Sequence, residues 1–273
     1  MSARPAMLAG LAARPRRLEL AGVSTAVLEA GDGPPLVLLH GGIECGGAIW
    51  APVVARLAER HHVVIPDLPG LGESDPVARL DAATFAAWFT ALLEHTCDEP
   101  PALVAHSLGG SLGARFATEH GERLERLVIY AAPGVGRYRM PLGLRATAIR
   151  FALRPSERNA ERFDRWALFD YDRARGEQPE WFAAFGAYTM ARAQVPHVKR
   201  TMRGLIGTGT KQVPGLEHIE IPATLLWGRH DRFVPLGLAE AASARLGWSL
   251  HVIEGAGHVP HVEQSEAFLE ELA

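Results

Sequence analysis

The stretch Pro101-Ala102-Leu103-Val104-Ala105-His106-Ser107-Leu108-Gly109-Gly110 decides how this chain is read. An apolar run that suits a buried strand ends in a serine, and helical spacing from Leu108 to about His120 begins at once. A serine on so sharp a strand-to-helix turn has its hydroxyl lifted clear of the sheet. The first N–H groups of the helix, unpaired within it, are then available to a developing oxyanion. Such a turn needs small neighbours, because its backbone is strained and strand and helix nearly touch. Ala105, Gly109 and Gly110 supply them. Ala105 stands where the G-x-S-x-G pattern has glycine, a departure of one methyl group. Alone, S-x-G is a common tripeptide, and its weight here depends on what surrounds it.

Upstream, Leu18 to Leu20 and Val23 to Glu29 read as two strands joined by a tight turn at Ala21-Gly22. Pro35 to Leu39 is a continuous apolar run, suited to a strand buried on both faces. Helical spacing follows from about Ile49 to Arg60, then a strand at Val63 to Ile65 that ends in Pro66-Asp67. Asp81 to Thr96 is amphipathic, with Asp81 placed to cap it. Downstream come strands at Leu127 to Tyr130, Ala223 to Trp227 and Leu250 to Ile253, with helices near Leu236 to Leu246 and from about Gln264. Strands alternating with helices of this length predict an α/β fold: a mostly parallel sheet with helices on both faces. In such sheets reactive residues gather at the carboxyl ends of the strands.

The stretch 134–214 breaks the alternation. It carries repeated helical patterns rich in arginine and aromatics, and no strand-like run, so an inserted helical lid is expected there, with a peripheral or dimerising insertion as the plainer reading. The core is expected at 18–133 and 215–273. Residues 1–17 contain four arginines (Arg4, Arg14, Arg16 and Arg17), no acid and a short apolar run. Most of that charge follows the apolar run, the reverse of a secretory signal, so a disordered or lightly docked leader is expected.

Composition narrows the classes. With 48% hydrophobic and 22% charged residues in 273, the chain is an ordinary globular one, long enough for a large core. A net charge of −3 gives no argument for nucleic acid or a membrane surface. No apolar stretch approaches the roughly 18–20 residues of a membrane span. Two cysteines, Cys45 and Cys97, form neither a disulfide framework nor a zinc pattern, so a reducing, cytoplasmic setting is expected. No phosphate loop, zinc spacing or dinucleotide fingerprint is present, and no cofactor or metal is implied.

A serine hydroxyl attacks only when a base takes its proton, and that base must be oriented and stabilised as it becomes charged. Asp231, in Trp227-Gly228-Arg229-His230-Asp231, follows one predicted strand, and His258, in Glu254-Gly255-Ala256-Gly257-His258, follows the next. The bland alternatives are specific. Asp231 could merely cap the following helix, and His230, His251 and His261 compete with His258. The glycine turn before His258 favours it. Cys45, near the loop after the third strand, has no base placed for it.

Taken in order, these residues resemble the α/β-hydrolase-fold serine hydrolases over nearly the whole chain, from about Leu18 to Leu272. His40-Gly41-Gly42 is similar to that family's oxyanion loop, and Asp67-Leu68-Pro69-Gly70-Leu71-Gly72-Glu73-Ser74 to its D-x-P-G-x-G-x-S loop. The serine elbow, the G-x-x-D and the G-x-G-H follow in register. The resemblance implies an eight-stranded sheet, Ser107 as nucleophile, His258 as general acid and base, and Asp231 as the residue that orients it. It also implies oxyanion donors at the backbone N–H groups of Gly42 and Leu108. His40 and Asp67 are expected to organise loops. Ile43, His106, Val259 and His261 are candidates for the pocket wall, though His106 is equally open to packing under the lid.

The expected activity is cofactor-independent hydrolysis of a small, largely apolar ester, lactone or related acyl compound through an acyl-enzyme. Carbon–carbon cleavage of a ring-cleavage diketone is the runner-up; relatives of that kind often carry an aromatic just after the histidine, where this chain has Val259. A ligand sensor that keeps the fold is the non-catalytic alternative. Oligomeric state and natural substrate are not written in the sequence.

Overall fold

The apolar runs become the middle of a sheet. The computed structural model describes residues 3–272; Met1, Ser2 and Ala273, at the ends of the expected leader and core, lie outside them. Among the described residues eight strands form one sheet: β1 (Arg14–Leu20), β2 (Val23–Ala30), β3 (Pro35–Leu39), β4 (His62–Pro66), β5 (Ala102–His106), β6 (Arg126–Tyr130), β7 (Ala223–Gly228) and β8 (Ser249–Ile253). Their spatial order is β1-β2-β4-β3-β5-β6-β7-β8. The two pairings of β2 are antiparallel and all others parallel. Every residue of β3 and of β5 is buried, as continuous apolar runs covered on both faces require. β5 lies centrally, with Ala105 opposite Leu39 on one side and Ile129 on the other.

The helices are α1 (Ala3–Met7), α2 (Ala51–Leu57), α3 (Ala82–Thr96), α4 (Ser107–His120), α5 (Leu142–Leu153), α6 (Glu157–Ala167), α7 (Tyr171–Glu177), α8 (Pro179–Ala193), α9 (Pro196–Gly209), α10 (Leu236–Leu246), α11 (Pro260–Glu263) and α12 (Ser265–Glu270). Asp81 caps α3 as expected, its carboxylate accepting the Thr84 N–H at 3.0 Å. The buried face of α3 (Phe85, Trp88, Phe89, Leu92 and Leu93) meets α4 through Phe89, which packs edge-on against Phe116 at 4.9 Å. α5 to α9 fill the interval between β6 and β7, and no strand occurs in it.

Two boundaries differ from the sequence reading. β1 begins at Arg14, because the Arg-Pro-Arg-Arg stretch pairs with β2 along a polar edge, Arg16 meeting Glu29 at 2.8 Å. Residues of the expected leader are also docked. α1 carries Arg4 into a buried ion pair with Asp67, within reach of the Tyr188 hydroxyl. The helix expected from Ile49 is shorter, since a 3-10 turn occupies Gly46–Trp50.

Candidate active site

Three strand ends converge on one place. Ser107 follows β5 directly and adopts φ 52°, a left-handed backbone that a non-glycine residue holds only under strain. Close packing explains its glycines. A Cβ on Gly109 would lie 2.1 Å from the His40 carbonyl, and one on Gly110 would lie 2.8 Å from that of Ala105. The methyl of Ala105 is accommodated from the helix side, because a Cβ at Gly113 would sit 3.1 Å from it.

His258 Nε2 lies 3.0 Å from Ser107 Oγ, and His258 Nδ1 lies 2.8 Å from Asp231 Oδ2. With Nδ1–H donating to the carboxylate, Nε2 is the atom free to accept the serine proton. Asp231 and His258 are buried. The other Asp231 oxygen accepts the N–H groups of Phe233 (2.7 Å) and Val234 (2.9 Å), which ties the turn that follows β7; the helix cap offered as its alternative role is not made, since α10 starts after Pro235 without a side-chain cap.

The loop after β3 faces the serine. Ile43 N–H turns back onto the Gly41 carbonyl at 2.9 Å, whereas Gly42 N–H has no acceptor among the described residues. Leu108 is the second residue of α4, where an N–H has no partner within the helix. His40 fixes this loop: Nδ1–H donates to the Gly41 carbonyl (2.7 Å) and Nε2 accepts the Leu68 N–H (2.9 Å). Burial keeps the ring neutral by lowering its pKa. Asp67 accepts the N–H groups of Gly47 (2.6 Å) and Glu73 (2.8 Å), and a side chain on Gly46 or Gly72 would strike its carboxylate.

A cavity opens onto Ser107, with walls from the sheet loops and from α5, α6, α8 and α9; the space free of protein atoms is about 1180 Å³ with its open mouth included. Ile43, His106 and Val259 line it. His106 also packs against Tyr130 of β6 at 4.4 Å and donates to the His258 carbonyl at 3.1 Å; burial holds its pKa well below the usual histidine range. His261 is the exception. It does not line the cavity: it is fully buried, Nδ1 accepting from the Tyr130 hydroxyl (2.5 Å) and Nε2 donating to the Ile49 carbonyl (3.2 Å), with a pKa lowered by burial to about 3. The short helix α11 carries it into the core. Cys45 is fully buried, and burial pushes its thiol pKa far up, so it is no nucleophile.

Sequence reasoning missed Glu263. Its carboxylate accepts the N–H of Gly257 (2.7 Å), next to His258, and those of Phe169 (2.7 Å) and Asp170 (3.2 Å) just beyond α6. The His258 N–H donates to the Ala167 carbonyl at the end of α6. The histidine loop is thus held by the helical insertion. An acid five residues beyond the histidine was the only signal.

A serine on a strand–helix elbow, with Asp and His following in chain order at the ends of later strands of a mostly parallel sheet, defines the α/β-hydrolase architecture. The family model described as the Alpha/beta hydrolase family matches residues 36–271, and the chain belongs to that family. An uncharacterised protein of Mycobacterium tuberculosis is 31% identical over 268 residues, spanning 88% of this chain and 74% of that one. A pimeloyl-[acyl-carrier protein] methyl ester esterase of Vibrio vulnificus is 30% identical over 253 residues, 89% of this chain and 94% of the esterase. The structure of a 2-hydroxy-6-oxo-6-phenylhexa-2,4-dienoate hydrolase from a Rhodococcus strain superposes with a TM-score of 0.81 at 23% identity, over 95% of this chain and 97% of the other. No helix among the described residues is long and apolar enough to cross a membrane.

Proposed function

We propose that the protein is a cofactor-independent serine hydrolase that cleaves a small, largely apolar ester, lactone or related acyl compound through an acyl-enzyme. The observation that carries this reading is the hydrogen-bonded series Ser107–His258–Asp231 opening onto a largely apolar cavity. Ser107 Oγ attacks the substrate carbonyl as His258 Nε2 takes its proton, and Asp231 stabilises the imidazolium that results. The N–H groups of Gly42 and Leu108 receive the oxyanion, each donor worth about 10²–10³ in rate. His258 then protonates the leaving group, and water, activated by the same imidazole, clears the acyl group from Ser107.

Stretch 134–214 acts as a lid in this reading, because its helices supply much of the cavity wall and bond to the His258 loop. The ester activity named for the Vibrio relative, most of whose length the chain covers, supports acyl transfer. Carbon–carbon hydrolysis of a diketone is the second reading, kept because the Rhodococcus neighbour is named as a 2-hydroxy-6-oxo-6-phenylhexa-2,4-dienoate hydrolase; Val259 stands where relatives of that kind often carry an aromatic, which counts modestly against it.

The test is turnover of 4-nitrophenyl butyrate together with labelling by a fluorophosphonate probe. Both are expected in the native chain. In Ser107→Ala labelling is lost and turnover falls by at least about 10⁴-fold. Absence of turnover of acyl and diketone substrates together with absence of labelling overturns the hydrolase reading and favours the ligand sensor.

A further inference from the structure

The cavity in front of Ser107 is not uniformly apolar. Two carboxyl groups line it: Glu44 on the loop after β3, and Asp164 on the same face of α6 as Ala160, Phe163 and Ala167. Both are half-buried; the carboxylates buried outright are matched, Glu29 by Arg16 among them. Asp67 has Arg4 and backbone N–H groups, Asp231 has His258, and Glu263 has three N–H donors. Glu44 and Asp164 have no ion-pair partner and no side-chain hydrogen bond among the described residues. No lysine or arginine offsets them, and the charges that act on Asp164 are those of Glu44 and Glu161, both acidic. Burial raises each carboxyl to about 7.

A separate observation lies on α8. Thr189 lines the same cavity and is 7% exposed, and its buried hydroxyl has no hydrogen-bond partner among the described residues. It approaches the thiol of Cys45, the residue next to Glu44. Unpaired buried hydroxyls are costly and uncommon in folded chains, and here one belongs to a residue in the wall that Glu44 and Asp164 share. Trp181, Phe182 and Phe185 of α8 add aromatic faces to the cavity wall, Trp181 stacked on Phe185 at 5.2 Å. Carboxylates, a free acceptor and aromatic faces together suit an alkylammonium group. A neutral ligand leaves the acids uncompensated and an anionic one is repelled.

We infer that Glu44, Asp164 and Thr189 form a subsite for a protonated amine carried by the substrate, so that the preferred substrates are acyl compounds bearing a basic nitrogen. This inference rests on the hydrolase reading for its kinetics, but not for binding.

The experiment compares isosteric pairs at about pH 8, where amines of this kind remain mostly protonated. On the acyl side the pair is 4-nitrophenyl 6-aminohexanoate and 4-nitrophenyl heptanoate; on the alcohol side it is 2-(dimethylamino)ethyl butyrate and 3-methylbutyl butyrate. In at least one pair the cationic member is expected to exceed the neutral one in kcat/KM by about tenfold or more. That ratio falls toward unity in the Glu44→Gln, Asp164→Asn double variant. Equal or inverted preference in both pairs overturns the inference, as does a preference that survives the double substitution.

A binding arm separates the two readings. Calorimetry on Ser107→Ala with hexylammonium and with 1-hexanol is expected to show tighter ammonium binding that the double variant loses. If no ester is cleaved yet this difference appears, the subsite stands and the hydrolase reading fails. Equal binding of the two ligands overturns the subsite.

Discussion

Asp231 divides its two oxygens between two tasks, and a single atom change separates them. Asp231→Asn keeps an oxygen for the N–H groups of Phe233 and Val234 but places an NH₂ opposite His258 Nδ1. The imidazole must then carry its proton on Nε2, where it cannot accept from Ser107. The expected result is a fall in kcat of about 10⁴-fold, the size of effect such a tautomer change has in serine proteases, with the thermal midpoint little altered. Steady-state kinetics and a melt on the same sample check both halves. Glu44 and Asp164 make a prediction of the opposite kind. Folded, they titrate at about 7; unfolded, they titrate near the ordinary carboxylate range. The native state therefore binds more protons between those limits, and the pair erodes stability as pH rises through that window. Glu161, which also raises Asp164, adds to the repulsion from the same helix. The Glu44→Gln, Asp164→Asn variant is expected to melt higher than the native chain at pH 8, by about 2 °C or more, with the difference closing near pH 4.

Between elements, fit decides what a substitution costs. The elbow carries Ala105 in place of glycine because α4 has no side chain at Gly113, where a Cβ would stand 3.1 Å from the Ala105 methyl. Alanine at 113 gains helix propensity but crowds β5. A double-mutant cycle isolates the clash: Gly113→Ala is expected to be less favourable, by about 0.5–1 kcal/mol, with Ala105 present than in an Ala105→Gly background, measured by denaturant unfolding. The sequence disclosed the strands in proportion to their burial. β3 and β5 read as uninterrupted apolar runs because both faces are covered, whereas the first half of β1 is an exposed edge whose arginines and proline hide the strand pattern. Glu263 illustrates a limit of another sort, since its three N–H donors come from Gly257, Phe169 and Asp170, and no local pattern announces that meeting. Glu263→Ala leaves those donors buried without an acceptor, at a cost of about 1–3 kcal/mol, and frees the loop that holds His258. A lower melting temperature together with a reduced kcat, KM changing less, is the expected signature.

Across the whole molecule, the site is readable where chemistry fixes residue type and chain order, and silent where it depends on which segments meet. Ser107, Asp231 and His258 each follow a strand and each has few chemical substitutes, so their chain order and the family resemblance it carries drew them together. Glu44 and Asp164 lie on a loop and on a helix 120 residues further along, and only the cavity makes them neighbours. Arg4 is the same kind of case. From the sequence it belongs to a basic leader; in the structure its guanidinium pairs with the fully buried Asp67 and reaches Tyr188, joining the N-terminal helix to the loop after β4 and to α8. Arg4→Ala strands a carboxylate whose remaining partners are backbone N–H groups, and breaking a buried pair from one side costs about 3–5 kcal/mol. The expected loss in melting temperature is about 5–10 °C, with Arg4→Lys recovering part of it because the charge remains while the planar donor geometry does not. Since Asp67 also positions Gly47 and Glu73 in the loops beside the proposed oxyanion turn, kcat is expected to fall in Arg4→Ala at temperatures well below its melt. An alanine variant with native stability and native kcat would show that the N-terminal helix merely rests on the surface.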